Sequence, residues 1–168
     1  MKILRKSLIL VFCFIFLIQC NKSSPTEPID STGPIIITFP SMLFEIVIRD
    51  ALNKPSGDIT DFDMLTIVNL NGWSKRLYSI DGIEYCKNLE YLDLYNNQIS
   101  DISGIADMPK LDLISLNNNN ISDLKHFVDN ENYNSGELYI YDNPLSLESK
   151  TEHIPILEAR GVVVHYNE

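Results

Sequence analysis

The sequence predicts an α/β solenoid, a stack of short repeats with a parallel sheet on one side and a cap at each end. A segment is written twice, as LEYLDLYNNQISDIS at residues 89–103 and as LDLISLNNNNISDLK at residues 111–125, a period of 22 residues. Apolar residues with helical spacing come before the first repeat, and a helix–strand pattern follows the last. Such flanking segments suit the two open ends of a repeat stack, which need covers with polar outer faces.

Each copy contains the pattern L-x-x-L-x-L-x-x-N-x-I of a leucine-rich repeat. The central pair, Leu92 and Leu94, has a period of two and therefore lies on one face of a short strand. One repeat cannot bury that face alone, whereas stacked copies form a parallel sheet over a continuous core. Asn97 and Asn119 follow the strands, and we expect their amides to satisfy backbone groups inside each turn.

The array extends in both directions from this pair of copies. Upstream, the register predicts a strand with inward residues Val68 and Leu70, which requires two extra residues between positions 72 and 76. Downstream, the strand at residues 138–140 follows a two-residue insertion after Val128, and Val162 with Val164 closes the sheet. We therefore predict four repeats over residues 65–145 and one terminal strand.

The start of the chain is predicted to be a targeting signal. Residues 1–19 combine a basic start with an apolar run of 11 residues, too short to cross a bilayer of about 30 Å. Leu17 to Cys20 resembles a bacterial lipobox, in which Cys20 is lipidated and anchors the protein to the outside of a membrane in the cell envelope. Residues 20–39 would be a flexible tether. The alternative is an ordinary secretory signal and a secreted protein.

The N-terminal cap is predicted over residues 40–64. Ser41 after Pro40 is a suitable N-cap for a helix that runs to Asn53. Thr60 with Asp63 has the form of a capping box for a second, short helix that carries Phe62 and Leu65. The apolar positions of the first helix are Leu43, Phe44, Val47, Ile48, Ala51 and Leu52.

The C-terminal cap is predicted over residues 146–168. Pro155 divides it into two short helical turns. Gly161 then ends the helix before a strand over residues 162–165, with Val163 and His165 towards the concave side. The residues expected to pack on the last repeat are Leu147, Ile154, Ile156 and Leu157.

Composition excludes some partners. When the three basic residues of the signal are left out, the chain has 10 Lys and Arg and 23 Asp and Glu, which gives a formal charge of −13. That charge repels nucleic acids and anionic membrane surfaces, so we expect no nucleic-acid partner and membrane contact only through the lipid anchor. Cys86 falls at an inward repeat position and is interpreted as a buried apolar residue.

Three segments together resemble the secreted bacterial leucine-rich repeat proteins of the internalin type. They are SMLFEIVIRDALNKPSGDIT from Ser41, NLEYLDLYNNQISDISGI from Asn88, and YDNPLS with IPILEARGVVVHY towards the end. The resemblance covers most of residues 40–166. It implies a curved solenoid that binds other proteins, or sometimes glycans, through its strand-lined concave face.

We find no catalytic or metal-binding pattern in the sequence. The three histidines, His126, His153 and His165, have no ligand-like spacing to other metal-binding residues. Asp101 and Asp123 are expected to be turn residues of the repeat. We therefore expect a non-enzymatic protein without cofactor or metal.

Outward strand positions are the candidate binding residues. Our register arranges them as one column of Asn69, Asp93, Ser115, Tyr139 and Val163, a second of Asn71, Tyr95, Asn117, Tyr141 and His165, and flanking residues Tyr91 and Leu113. Tyrosines on a rigid sheet are good anchors for a protein ligand, because each ring buries a large area at small entropic cost. We select as partner-binding residues Tyr91, Asp93, Tyr95, Asn117, Tyr139, Tyr141 and His165.

Several alternatives remain at this stage. The tyrosines could reflect strand propensity alone, with neighbours covering the rings. Trp73, beside Lys75 and Arg76, could be an exposed aromatic–basic bulge or could fold over the cap, and the insertion near Tyr133 could extend the binding surface. The protein could also be a structural component of an envelope assembly, or use its tyrosines to stack on glycans.

Overall fold

Five short parallel strands form one sheet in chain order, as the repeat pattern predicts. The computed structural model describes residues 33–106 and 108–167. In each strand the middle residue is buried and its two neighbours are at least partly exposed, so the buried row faces the core. The strands are β1 (Asn69–Asn71), β2 (Tyr91–Asp93), β3 (Leu113–Ser115), β4 (Glu137–Tyr139) and β5 (Val163–His165).

The first strand follows the regular period of 22 residues, and the two-residue shift predicted for it is wrong. Leu70 pairs with Leu92, so no extra residues lie between positions 72 and 76. Val68 is exposed, and Ile67 and Leu70 are the buried residues. The pattern is obscured because Gly72 occupies the position of Leu94. A Cβ built on Gly72 would lie 2.8 Å from the Leu94 Cδ2 atom, so the neighbouring leucine fills the space.

The last strand is also displaced by two residues from the predicted register. Val164 pairs with Leu138, and His165 therefore lies beside Tyr139 where Val163 was expected. The insertion before β4 is confirmed, because Ile114 pairs with Leu138, 24 residues later. It ends at Gly136, which has φ +93° and whose Cβ would lie 2.3 Å from the backbone oxygen of Asp112, so only glycine fits there.

A ladder of buried asparagines connects the repeats, as predicted for Asn97 and Asn119. The Asn97 amide donates to the carbonyl oxygens of Gly72 (2.9 Å) and Leu94 (2.8 Å), and its Oδ1 accepts from the backbone N–H of Leu77 (3.0 Å). Asn119 and Asn143 make equivalent bonds one and two repeats later. These bonds pair backbone groups that the turns leave without partners.

Short helices return the chain on the side opposite the strands. They are a 3-10 helix (Ile83–Tyr85), α3 (Ser103–Ala106) and α4 (Lys125–Asp129). Between these helices and the sheet lies one continuous apolar core. Cys86 is fully buried in it, as predicted, and burial raises the pKa of its thiol to about 12. The carboxylates of Asp101 and Asp123 accept bonds from the N–H two residues later, which confirms them as turn residues.

The N-terminal cap begins with α1 (Met42–Leu52). Ser41 Oγ accepts a bond from the Phe44 N–H at 3.3 Å, and Asn53 ends the helix in the left-handed conformation. The buried face consists of Phe44, Val47 and Ile48. The predicted core positions Leu43 and Ala51 are instead exposed, because the helix contacts the repeats along a narrower stripe than its apolar pattern indicates.

The second cap helix is α2 (Asp61–Met64), with the predicted capping box between Thr60 and Asp63. Its buried residue is Met64, whereas Phe62 and Leu65 are exposed. Residues 35–37 pair with residues 59–61 through backbone hydrogen bonds. This part of the predicted tether therefore belongs to the cap.

The C-terminal cap contains a π-helix (Ser149–His153) that continues directly into α5 (Ile154–Arg160). Pro155 lies at the start of α5, where the helix changes from π to α, and the chain stays helical through it, so it does not divide the segment as predicted. Ile154 and Leu157 are buried as expected, but Leu147 and Ile156 are exposed. Gly161 ends the helix with φ +107°. A guanidinium nitrogen of Arg160 donates to the backbone oxygen of Asn130 at 3.1 Å and holds the cap against the last insertion.

The predicted signal segment, Cys20 and the tether up to residue 32 lie outside the described residues. Within residues 33–106 and 108–167, no helix has the length and apolar character that a membrane span requires.

Candidate functional site

The outward residues of the five strands form a surface of three columns, which we call the concave face. Backbone hydrogen bonds between neighbouring repeats continue past the ends of the strands. The residue two positions after the last residue of each strand is therefore also in register with its neighbours. The first column is Asn69, Tyr91, Leu113, Glu137 and Val163; the second is Asn71, Asp93, Ser115, Tyr139 and His165; the third is Trp73, Tyr95, Asn117, Tyr141 and Asn167.

Aromatic rings dominate the N-terminal half of the third column. Trp73 is 55% exposed and Tyr95 is 39% exposed. Their ring centroids lie 6.4 Å apart with the planes tilted by 31°, so they form one exposed aromatic pair. Trp73 therefore belongs to the concave face and does not fold over the cap. Trp73 lies one repeat period of 22 residues before Tyr95, which could have placed the two residues side by side from the sequence. The incorrect register predicted for the first strand concealed this.

A hydrogen-bonded cluster occupies the other end of the face. The Tyr139 hydroxyl donates to Glu137 Oε2 at 2.5 Å, and the His165 ring stacks on the Tyr139 ring with centroids 4.2 Å apart. His165 Nε2 lies 3.3 Å from the same carboxylate oxygen. The bond from Tyr139 is the main cause that lowers the pKa of Glu137, and it raises the pKa of the tyrosine. Glu137, which the sequence interpretation did not select, is thus held as an anion at the surface.

All seven selected partner-binding residues lie on the concave face. Asp93 accepts a bond from the backbone N–H of Tyr95 at 3.0 Å, which orients its carboxylate towards the end of the strand. Asn117 Oδ1 accepts a bond from the Tyr141 N–H at 2.7 Å, so part of its hydrogen-bonding capacity serves the structure. Some of these residues have neighbours other than those predicted from the sequence. Tyr139 and His165 form one cluster, and Tyr95 and Tyr141 lie on either side of Asn117 in the third column.

Tyr133 does not extend this surface. It is only 4% exposed, and its ring packs on Phe127 at a centroid distance of 5.1 Å. The hydroxyl has no hydrogen-bond partner among the described residues, and burial raises the pKa of the phenol well above its usual value. The insertion that contains Tyr133 therefore packs inward at this residue and adds to the core.

The histidines occupy three separate environments. His126 is exposed on α4, His165 is on the concave face, and His153 is buried in the C-terminal cap. Ser149 Oγ and Asp123 Oδ1 both face the Nδ1 atom of His153, at 3.4 and 3.2 Å. Glu148 Oε1 lies 3.8 Å from Nε2 on the other side of the ring, and Ser149 Oγ already accepts from the Leu124 N–H and donates to the Ser122 oxygen, so these groups tie the cap to the last repeat. In the part of the chain that the structure describes, no three metal-binding side chains come together.

Comparisons with known proteins agree with this architecture. The family model for leucine-rich repeats (2 copies) matches residues 64–107 and 87–131. No curated protein matches the chain. Among solved structures, an internalin (InlF) of Listeria monocytogenes is similar with 30% identity and a TM-score of 0.68, over 80% of this chain and 39% of the internalin.

Internalin C2 of the same species is similar with 19% identity and a TM-score of 0.65, over 79% of this chain and 58% of its own. This second likeness concerns the fold alone. The chain thus spans less than two thirds of either internalin. The strand register and the repeat match establish a short leucine-rich repeat solenoid, similar to internalins, and solenoids of this type are typically non-enzymatic binding scaffolds.

Proposed function

We propose that this chain is a non-enzymatic binding module that recognises another protein through its concave face, and that a lipid on Cys20 anchors it outside a bacterial membrane. The observation that carries the recognition proposal is the exposed Trp73–Tyr95 pair on a rigid sheet. Tyr91 and Tyr141, 38% and 39% exposed, add two further rings to the same surface.

The arrangement suits a protein ligand because its rings are already ordered. Each ring lies on a strand or directly after one, and the sheet that carries it packs on a fully buried core. Binding therefore orders few side chains, and each tyrosine keeps a hydroxyl for a hydrogen bond. Tyrosine and tryptophan are also the residues most often found where interfaces gain most of their energy.

The size of the concave face limits the footprint that a partner can cover. Five strands about 4.8 Å apart and three columns wide give on the order of 300 Å² before side-chain relief is counted. A stable protein interface covers about 800 Å² on each partner. The face alone is therefore suited to a short segment of the partner or to a weak contact, and a larger footprint must include the caps.

The anchor follows from the sequence of the first 20 residues. The basic start, the 11-residue apolar run and the lipobox-like Leu17 to Cys20 support export and lipidation. Replacing Cys20→Ala is expected to abolish lipid labelling and release the protein from the membrane fraction. Membrane association of the Cys20→Ala variant without lipid labelling of either form would reject this part of the proposal.

Replacing Tyr95 and Tyr141 together with alanine tests the recognition face. Because both tyrosines are 39% exposed, the free energy of unfolding should fall by no more than about 1 kcal/mol per ring. Capture of a partner from extracts of the native host should fall at least tenfold relative to the unchanged protein.

The matched control is Tyr78→Ala, which removes a tyrosine that is 60% exposed and lies beyond the turn after β1. It should leave capture unchanged. A large loss of stability in the Tyr95/Tyr141 variant would assign the rings to packing, and equal capture by all three proteins would place the partner elsewhere.

Glycan binding is the second candidate, favoured by the polar groups beside the rings. Asp93 lies next to Tyr95, and Asn117 separates Tyr95 from Tyr141, so ring stacking and hydrogen bonding could act on one sugar. Trp73 is the single tryptophan of the chain, and its fluorescence titrated with oligosaccharides would report such binding directly.

A further inference from the structure

We infer that the concave face takes a basic ligand, a short extended segment of another protein whose lysine or arginine side chains lie over Asp93 and Glu137. This inference rests on the proposed function and specifies its partner. The structural basis is the juxtaposition of two fixed carboxylates and several exposed rings on a face that holds no basic side chain of its own apart from His165.

Apart from His165, the charged side chains in the fifteen column positions are acidic. None of these positions is lysine or arginine, whereas Asp93 lies in the second column on β2 and Glu137 in the first column on β4. Glu90 and Asp112 add two carboxylates along the edge before the first column, where their backbones pair with each other, and Lys110 adjoins the same edge with its Nζ bonded to Asn88 Oδ1. Asp142 adds a carboxylate at the opposite edge, after Tyr141.

These five carboxylates have no lysine or arginine ion-pair partner among residues 33–106 and 108–167. The ion pairs of lysine and arginine in that part of the chain lie elsewhere, in the N-terminal cap and on α4. Glu137 contacts His165, yet its side chain remains 47% exposed. A basic ligand would therefore meet carboxylates that are at least partly exposed and that have no lysine or arginine partner in this part of the chain.

The rings beside the carboxylates suit lysine and arginine in a second way. A cation over the face of a tyrosine or tryptophan is attracted by the ring, and the aliphatic stem of the same side chain packs against it. Asp93 and Tyr95 are neighbouring outward positions of the same repeat, and the Asp93 carboxylate is bonded to the backbone N–H of Tyr95. One arginine could then contact both the ring face and the carboxylate.

Lys75 and Arg76 indicate where on the face the basic residues of the ligand should lie. Both are exposed in the turn after β1, outside the fifteen column positions but close in sequence to Trp73. They make the Trp73 end less favourable for a cation. The basic residues of the ligand should therefore lie towards β2 to β4, with an uncharged residue over Trp73.

A basic peptide fits this face better than a glycan or a nucleic acid. A neutral sugar gains nothing from the field of the five carboxylates, and a polyanion is repelled by it. The five strands span about 20 Å, which corresponds to about six residues of extended chain. The ligand is therefore a short segment and not a folded domain.

The test is a titration of the full chain, purified in detergent, with three synthetic peptides of equal length. One alternates arginine with alanine, one replaces each arginine by glutamine, and one replaces each arginine by glutamate. Fluorescence of Trp73, the only tryptophan, reports occupancy of the face. We expect a saturable change with the arginine peptide only, weakened as salt is raised to about 1 M because screening then acts within about 3 Å.

Variants test whether that binding depends on the carboxylates of Asp93 and Glu137. Asp93→Asn and Glu137→Gln should each weaken the arginine peptide about two- to five-fold, the range of exposed ion pairs. Asp58→Asn and Glu131→Gln remove the same charge at exposed positions outside the face and should change affinity little. Thermal unfolding of all four variants verifies that the fold is intact.

The outcomes separate this inference from the proposed function. Binding of all three peptides alike, no binding of the arginine peptide, or binding insensitive to Asp93→Asn and Glu137→Gln would overturn the basic ligand. If partner capture in host extracts still depends on Tyr95 and Tyr141, the recognition face stands and only its chemistry is wrong. If capture is independent of those tyrosines as well, both proposals fail. Saturation by a neutral oligosaccharide would assign the face to glycans.

Discussion

Replacing Asn97 with alanine should be among the most destabilising single changes at a polar residue of this protein. The amide makes four bonds of 2.8–3.1 Å to the backbone of Gly72, Lys75, Leu77 and Leu94. The Leu94 oxygen keeps its bond from Asn119, and the Lys75 N–H is close to solvent. The Leu77 N–H and the Gly72 oxygen lose a buried partner, at about 1–3 kcal/mol each.

We therefore expect Asn97→Ala to lower the free energy of unfolding by about 3 kcal/mol in urea titrations. The control is Asn88→Ala, because Asn88 also donates its amide to a backbone oxygen of the preceding repeat, that of Leu65 at 2.8 Å, but at an exposed site. Its loss should stay below about 1 kcal/mol because water replaces the bond. Equal losses for the two variants would refute the argument that burial gives the ladder its strength.

Three further changes test the core and the caps. Leu94→Ala should cost about 2–5 kcal/mol of unfolding free energy as the truncation of a fully buried leucine, and a neutral result would contradict the register of the sheet. Tyr133→Phe should raise the free energy of unfolding by about 1 kcal/mol, because it removes a buried hydroxyl without a partner, and a clear loss of stability would show that the hydroxyl is bonded. Lowering the pH from 4 to 2 should reduce the melting temperature more for the unchanged protein than for Asp63→Asn. The bond from Lys54 lowers the pKa of Asp63 from 3.8 to about 2, so this carboxylate stabilises the fold above pH 4 and loses that effect as it is protonated; parallel curves would argue against the ion pair.

The centre of the array could be predicted from sequence because its signals reinforce one another. In the repeats that begin at Leu89 and Leu111, the leucine positions, the asparagine and the spacing all give the same register. The cap boundaries at Ser41, Thr60 and Gly161 were also predictable, since each depends on local bonds or local dihedral angles.

The first and last strands could not be placed because their signals conflict. In the first repeat, Gly72 stands at the position of Leu94 and Lys75 at that of Asn97, so both defining residues are missing. In the last, the alternation of Val162 and Val164 fits either of two registers. Packing decides both cases, because contacts with the neighbouring repeat select the register and local sequence does not.

These two errors affected the candidate site more than the fold. Shifting the first strand moved Trp73 away from Tyr95, and shifting the last separated His165 from Tyr139. The residue types that make a good recognition surface could be selected from the sequence, but their partners could not. Glu137 was missed although it lies two residues before Tyr139 on the same strand, in the column of Tyr91 and Leu113; only its contact with His165 required the correct register of the last strand.

Site-specific photo-crosslinking in the native host tests recognition by the concave face most directly. One variant carries the probe at Tyr95, on the concave face, and the other carries it at Lys87, which is exposed after the 3-10 helix on the opposite side. We predict that a protein partner is captured from Tyr95 and not from Lys87. Capture from Lys87 alone would contradict the account and make this protein a component of an envelope assembly, held through the side opposite its strands.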